Sequence, residues 1–137
     1  MTQAYILDAC AIIALLKGEA GADIVEGILT QPADKSIVYM CKLNLLEMYY
    51  GFYRTDGLEV AEKRFQAVAN SSVVLISELT DIAFRNAGRL KATYKMSLGD
   101  SILLGEALSA QLTVVTSDHH EFDKIEENES LNFLWIR

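Results

Sequence analysis

The chain has few cysteines: Cys10 and Cys41 are the only two in 137 residues. Neither has the closely spaced Cys or His partners of a zinc site, and two thiols make no disulfide framework. None is needed at this length, because a domain of about 150 residues buries roughly 68–70% of the surface its unfolded chain exposes. Proline occurs once, and no Gly/Ser-rich linker or internal repeat divides the sequence, so a single domain over residues 1–137 is expected. No apolar run reaches the ~18 residues of a membrane span. Asp8, Lys17 and Glu47 interrupt the longest ones, which excludes a membrane-spanning protein of that kind. The first residues lack a basic leader and place Asp8 in the first apolar run, unlike a secretory signal. With both thiols read as reduced, the expected compartment is cytoplasmic. Positive charge is scarce too. Twelve Lys and Arg face nineteen Asp and Glu, a formal net charge of −7, which argues against a protein that wraps nucleic acid by bulk electrostatics. A polynucleotide would have to be held locally, and each bound dication would offset two of those negative charges. Neither G-x-G-x-x-G nor G-x-x-x-x-G-K-[ST] occurs, so nucleotide-cofactor readings lose support.

What the chain does have is hydrophobic content, 51% of its residues, laid out in an alternating pattern. Residues 5–7, 36–40, 73–76, 113–116 and 133–136 read as strands. Residues 11–17, 22–29, 42–54, 58–69, 79–95 and 100–110 read as helices. Several strands are continuous apolar runs rather than alternating ones, which indicates burial on both faces. Together with the helical crossovers this predicts an α/β fold in three layers, a mostly parallel sheet of about four to five strands flanked by helices. Ligand sites in such sheets lie beyond the carboxyl ends of the strands, near a topological switch point.

Four carboxylates stand out against that pattern. Asp8 follows the first strand directly and Asp118 stands two residues after the fourth, so both fall at the carboxyl edge. Each also suits an ordinary turn or helix cap, and Asp8 could cap the helix beginning at Ala11. Glu47 lies in Leu43-Asn44-Leu45-Leu46-Glu47-Met48-Tyr49-Tyr50-Gly51-Phe52, apolar almost all round, which predicts a buried helix. Asp100 shares a helical face with Leu103, Leu104 and Ala107, expected to face the core, although a carboxylate in a first helical turn is also favoured by the macrodipole. A buried carboxylate needs a partner, and a cluster of them without counter-charge suits hard cations with oxygen ligands. Cys10 reads as a small packed residue, and Glu126-Glu127-Asn128-Glu129 as a solvated acidic stretch. Arg85, Arg89, Lys91 and Lys95 fall on one helix away from Leu79, Ile82, Ala83, Leu90 and Tyr94. That is the ordinary pattern of a solvated face beside a core stripe, and these cations with Lys42 are candidate phosphate contacts.

The order strand–Asp8-Ala9-Cys10–helix, then Glu47-x-x-x-Gly51, Ser97-Leu98-Gly99-Asp100 and Thr116-Ser117-Asp118-His119-His120-Glu121-Phe122 resembles the PIN domain. It is similar in particular to the single-domain VapC-type toxins of toxin–antitoxin pairs, from Tyr5 to Trp135. The resemblance implies a metal-dependent endoribonuclease, with Asp8, Glu47, Asp100 and Asp118 as its acidic metal-binding and catalytic set. Thr116, Cys10 and Ser97 would support them, and Mg²⁺ or Mn²⁺, one or two ions, would be the cofactor. It further implies an RNA substrate, an antitoxin protein as partner and a homodimer. Two positions depart from the family pattern: Cys10 stands where Ser, Asn or Thr is common, and His120 where a further Asp often follows, with Glu121 and Asp123 nearby. Two other readings compete. One is a PIN-like module that binds RNA or protein without cutting. The other is a phosphoacceptor receiver domain, which would want adjacent acids after the first strand, where Ala9 and Cys10 stand, and a Lys after the last.

Overall fold

The computed structural model describes residues 1–137. Five strands form one sheet: β1 (Gln3–Leu7), β2 (Ser36–Cys41), β3 (Val74–Ile76), β4 (Thr113–Thr116) and β5 (Phe133–Trp135). Every pairing is parallel and the order is β3-β2-β1-β4-β5, so the direction of winding reverses between β1 and β4. The expected three-layer α/β architecture is therefore present, with the switch point beside the first strand.

The continuous apolar strands have a direct physical cause. Ile6 and Leu7 are both fully buried, yet they belong to separate cores on opposite faces of the sheet. The same division separates Val114 from Val115. Leu7 and Val115 pack among α1 (Ala9–Lys17), α2 (Ala22–Leu29), α3 (Lys42–Asp56) and α4 (Leu58–Ala69). Ile6 and Val114 pack among α5 (Asp81–Thr93), α6 (Leu98–Ala110) and α7 (His119–Asn128). Truncating Ile6 or Leu7 to Ala would cost about 2–5 kcal/mol. α5 and α6 approach closely because small residues meet between them. A Cβ at Gly105 would lie 2.7 Å from the Ala83 carbonyl oxygen and 2.9 Å from Ala87 Cβ.

The helices differ from expectation in three places. On α5 the buried stripe is Ala83, Ala87 and Leu90, while Ile82 is 64% exposed and Leu79, just before the helix, is exposed as well. Close packing against α6 selects the small side chains for that face. α3 is not buried all round. Leu45, Met48 and Phe52 face the core and Tyr49 meets Phe65 of α4 edge-on, but Leu46, Tyr50 and Tyr53, at i, i+4 and i+7, form an exposed stripe. The acidic stretch ends a helix, α7, which the apolar pattern did not reveal, and Glu129 just beyond it is held by Arg89 rather than freely solvated.

Candidate active site

β1 and β4 are neighbours, so their carboxyl ends bring Asp8 and Thr116 together. Asp8 is 3% exposed and serves as N-cap of α1, one carboxylate oxygen accepting from Ala11 N at 2.8 Å. Its other oxygen accepts from the hydroxyl of buried Thr116, and Thr116 Oγ1 accepts in turn from Asp118 N at 3.0 Å. Asp118 caps α7, accepting from Glu121 N at 3.1 Å. The cap reading of both aspartates is thus correct as local structure, and it is also what fixes them at the sheet edge.

The second half of the site is carried by helices. Asp100 sits half-buried in the first turn of α6, where Ser97 caps the helix by accepting from Asp100 N at 3.1 Å. Leu103, Leu104 and Ala107 on its face are buried, as expected. Glu47 reaches the same place from α3. Its carboxylate lies over Gly99, where an added Cβ would come within 2.8 Å of Oε1. Asn44, one turn earlier and fully buried, donates from Nδ2 to that Oε1 at 2.8 Å. Asn44 and Gly99 hold Glu47 in place, and sequence reasoning missed both. An Asn inside a helix gives no periodic signal, and the close approach of α3 to α6 is a tertiary fact.

The electrostatics follow from this crowding. Burial is the main cause that raises the Asp8 carboxyl to about 7; the Thr116 and Ala11 hydrogen bonds oppose it, and the charges of Asp100 and Asp118 add to it. Burial likewise lifts Asp100 to about 6, opposed by Ser97 and reinforced by Glu121, Glu47 and Asp118. No Lys, Arg or His forms an ion pair with Asp8, Glu47, Asp100, Asp118 or Glu121. Cys10 is not packed away as expected but stands exposed on α1. Its thiol is pushed up to about 12, by desolvation first and then by Asp8, Asp118 and Asp100, which makes it a poor nucleophile.

The two carboxylates that follow Asp118 on α7 have separate surroundings. Glu121 is close enough to Asp100 for its charge to raise the Asp100 carboxyl. Asp123 instead lies 2.9 Å from His119 Nδ1, and the imidazole stacks on Trp135 with its Nε2 2.9 Å from the Arg137 carbonyl. With oxygen acceptors at both ring nitrogens, the His119 pKa is raised, mainly by Asp123. His120 is exposed. Lys42, Arg85, Arg89, Lys91 and Lys95 are all exposed, but Arg89 is not a free cation: it forms a forked pair with Glu129 at 2.7 and 3.2 Å.

The donor chemistry suits a hard dication. All nearby ligands are carboxylate oxygens without a counter-charge, and the Oδ1 of buried Asn44 has no hydrogen-bond partner. No three of these side chains are already drawn into a closed coordination group.

The PIN domain family profile matches residues 5–128. The chain belongs to the PIN domain family. No curated protein matches it by sequence. Among solved structures, this PIN domain is similar to a DNA-bound VapBC from Salmonella typhimurium, at TM-score 0.74 and 16% identity over 100% of both chains. A toxin–antitoxin complex from Klebsiella pneumoniae gives 0.71 and 16%, over 97% of this chain and 98% of that one. VapC20 of Mycobacterium tuberculosis, described as a sarcin–ricin loop cleaving toxin, gives 0.61 and 14%, over 80% and 86%. At these identities the likeness is one of fold, and the PIN fold is what places the acidic residues at one sheet edge.

Proposed function

We propose that this PIN domain is a dication-dependent endoribonuclease and the toxin of a toxin–antitoxin pair. The observation that carries the reading is the convergence of Asp8, Glu47, Asp100 and Asp118 from four parts of the chain on the sheet's switch point, with no cation of the chain to neutralise them. Two of the solved structures similar to it are described as a toxin–antitoxin complex and as a sarcin–ricin loop cleaving toxin.

Asp8, Glu47, Asp100 and Asp118 would hold Mg²⁺ or Mn²⁺, one or two ions. A dication held there would supply a reversed local field, a polarised phosphoryl oxygen and a more acidic water. The protein's own contribution is positional. Thr116 fixes the rotamer of Asp8, Ser97 anchors the turn that carries Asp100, and Asn44 orients Glu47. Because Asp8 and Asp100 titrate near 7 and 6, both are ionised above neutral pH, where an anionic site best attracts the ion. Glu121, one turn from Asp118 and adding its charge to Asp100, would be a further carboxylate for orienting water there. Cys10 takes no covalent part.

The exposed α3 stripe of Leu46, Tyr50 and Tyr53 supports a protein partner, as does the neighbouring groove of about 270 Å³ lined by Lys42, Leu45, Leu46, Tyr49, Glu62 and Phe65. An antitoxin would lay an amphipathic helix there and extend a basic side chain toward the carboxylates. A homodimer belongs to the same reading. A cytoplasmic location belongs to the same reading, and no helix is long and apolar enough to cross a membrane. The deciding experiment is cleavage of single-stranded RNA by the purified protein with Mg²⁺ or Mn²⁺, stopped by chelator. RNA binding without cleavage under any dication would return the non-catalytic reading.

A further inference from the structure

A cleft of about 550 Å³ lies between the end of α5 and the exposed side of α7, lined among others by Tyr94, Lys95, His120, Glu121 and Lys124. Glu121 is the residue it shares with the acidic site, since its backbone N–H donates to the Asp118 carboxylate at 3.1 Å and its charge adds to the rise of Asp100. The cleft therefore opens from the carboxylates rather than lying apart from them. Its character is opposite to theirs. Lys95 and Lys124 are exposed, neither ammonium is paired with a carboxylate, and the His120 imidazole is exposed beside them. In a chain of net charge −7, a cleft that joins free ammonium groups to an acidic site is a local reversal of sign.

The walls of this cleft are braced. Arg89 grips Glu129 through two hydrogen bonds, and the Tyr94 hydroxyl donates to the same carboxylate at 2.6 Å, tying the end of α5 to the end of α7. Arg89 and Tyr94 thus act through Glu129 to fix how the segment that carries Lys95 sits against the helix that carries Lys124.

The geometry points to this cleft as the seat of the phosphodiester flanking the scissile one on single-stranded RNA, with Lys95 and Lys124 as its cationic contacts. It rests on the ribonuclease reading and adds the path of the strand to it: away from the carboxylates, past Glu121, and out between α5 and α7. A bare carboxylate site repels an RNA strand, so an adjoining pair of cations supplies the local attraction that the net charge denies.

The test is binding of a fluorescein-labelled 12-nucleotide single-stranded RNA, followed by anisotropy over a series of KCl concentrations. The Lys95→Ala/Lys124→Ala double variant should lose at least about tenfold in affinity at low salt. The slope of log K against log salt should fall by about 0.7, the share of one neutralised phosphate on a single strand. A double variant at two remote exposed lysines, Lys35→Ala/Lys63→Ala, carries the same charge change and should bind as the parent does. Equal affinity and slope in parent and Lys95→Ala/Lys124→Ala, with RNA cleavage by the parent intact, would overturn the cleft and leave the ribonuclease reading standing. Equal losses in both double variants would reduce the effect to net charge and overturn it too. A parent protein that neither binds nor cuts the RNA would sink both.

Discussion

The two halves of the acidic site are built by different physics. Asp8, Thr116 and Asp118 stand at the ends of paired strands, and each side chain is tied to backbone or to the next through hydrogen bonds shielded from water. Glu47 and Asp100 ride on α3 and α6, and their relative position depends on how closely Gly99 lets the two helices meet. The hydrogen bonds of the first half are part of what holds the domain together; the second half is a matter of spacing. Breaking those hydrogen bonds should therefore register as lost stability together with lost activity, and displacing the second half as lost activity alone.

The largest effect removes the charge common to both halves. Asp8→Asn and Asp100→Asn should each abolish RNA cleavage, while the metal-free proteins melt at or above the parent temperature at pH 8, because each substitution relieves burial of a charge and repulsion from its neighbours. Full turnover in Asp100→Asn with unchanged dication affinity would refute the assignment. The same repulsion sets a pH dependence. Both folded-state pKa values lie above the ordinary carboxyl value of 3.8, so their stabilising contribution is complete below about pH 4 and is lost as pH rises through about 6 and 7. Chelator-treated protein should lose a few kcal/mol between pH 4 and pH 8 from these two groups, because a tenfold change in proton affinity corresponds to about 1.4 kcal/mol. Adding Mn²⁺ at pH 8 should restore it; urea unfolding at each pH measures both.

The comparison itself is sharpest in a matched pair. Thr116→Val leaves Asp8 and the Asp118 N–H each short of a buried partner and should cost about 1–3 kcal/mol, along with activity. Gly99→Ala should leave stability within about 1 kcal/mol, since Ala favours a helix over Gly by about that much. Yet it displaces the Glu47 carboxylate, a flexible group, and should lower cleavage at least tenfold. Equal stability losses in the two variants would erase the distinction. The smallest effect belongs to Cys10→Ser, expected to retain most of the activity because the thiol is exposed and held protonated. A trapped covalent RNA adduct on Cys10 would contradict it.

What was legible in the sequence follows the same division. The strand-borne residues were readable because a fully buried parallel strand is a continuous apolar run, and Asp8 and Asp118 interrupt or follow such runs. Asp100 was readable from its spacing to Leu103, Leu104 and Ala107. The short helix α7 was not, since only Phe122 and Ile125 of its ten residues are buried, too few to set a period. On α3, apolar residues lie on both sides, and periodicity cannot tell a stripe that packs on α4 from one that meets solvent. Nor can it reveal that Arg89 is spoken for by Glu129, a partner 40 residues away. Asn44 lies outside any pattern: its role exists only once Glu47 and Gly99 have been brought beside it.

The Asp8–Thr116 hydrogen bond joins positions 108 apart in sequence, and Asp118 comes later still. During translation the amino-terminal strand must wait for β4 to be synthesised and to leave the ribosome before its aspartate gains that brace. Contacts of such long sequence separation form late, because the intervening loop must be closed first. Until β4 and the start of α7 have been made, a nascent chain therefore carries an incomplete set of carboxylates. The strand order itself makes the site one of the last things the fold completes.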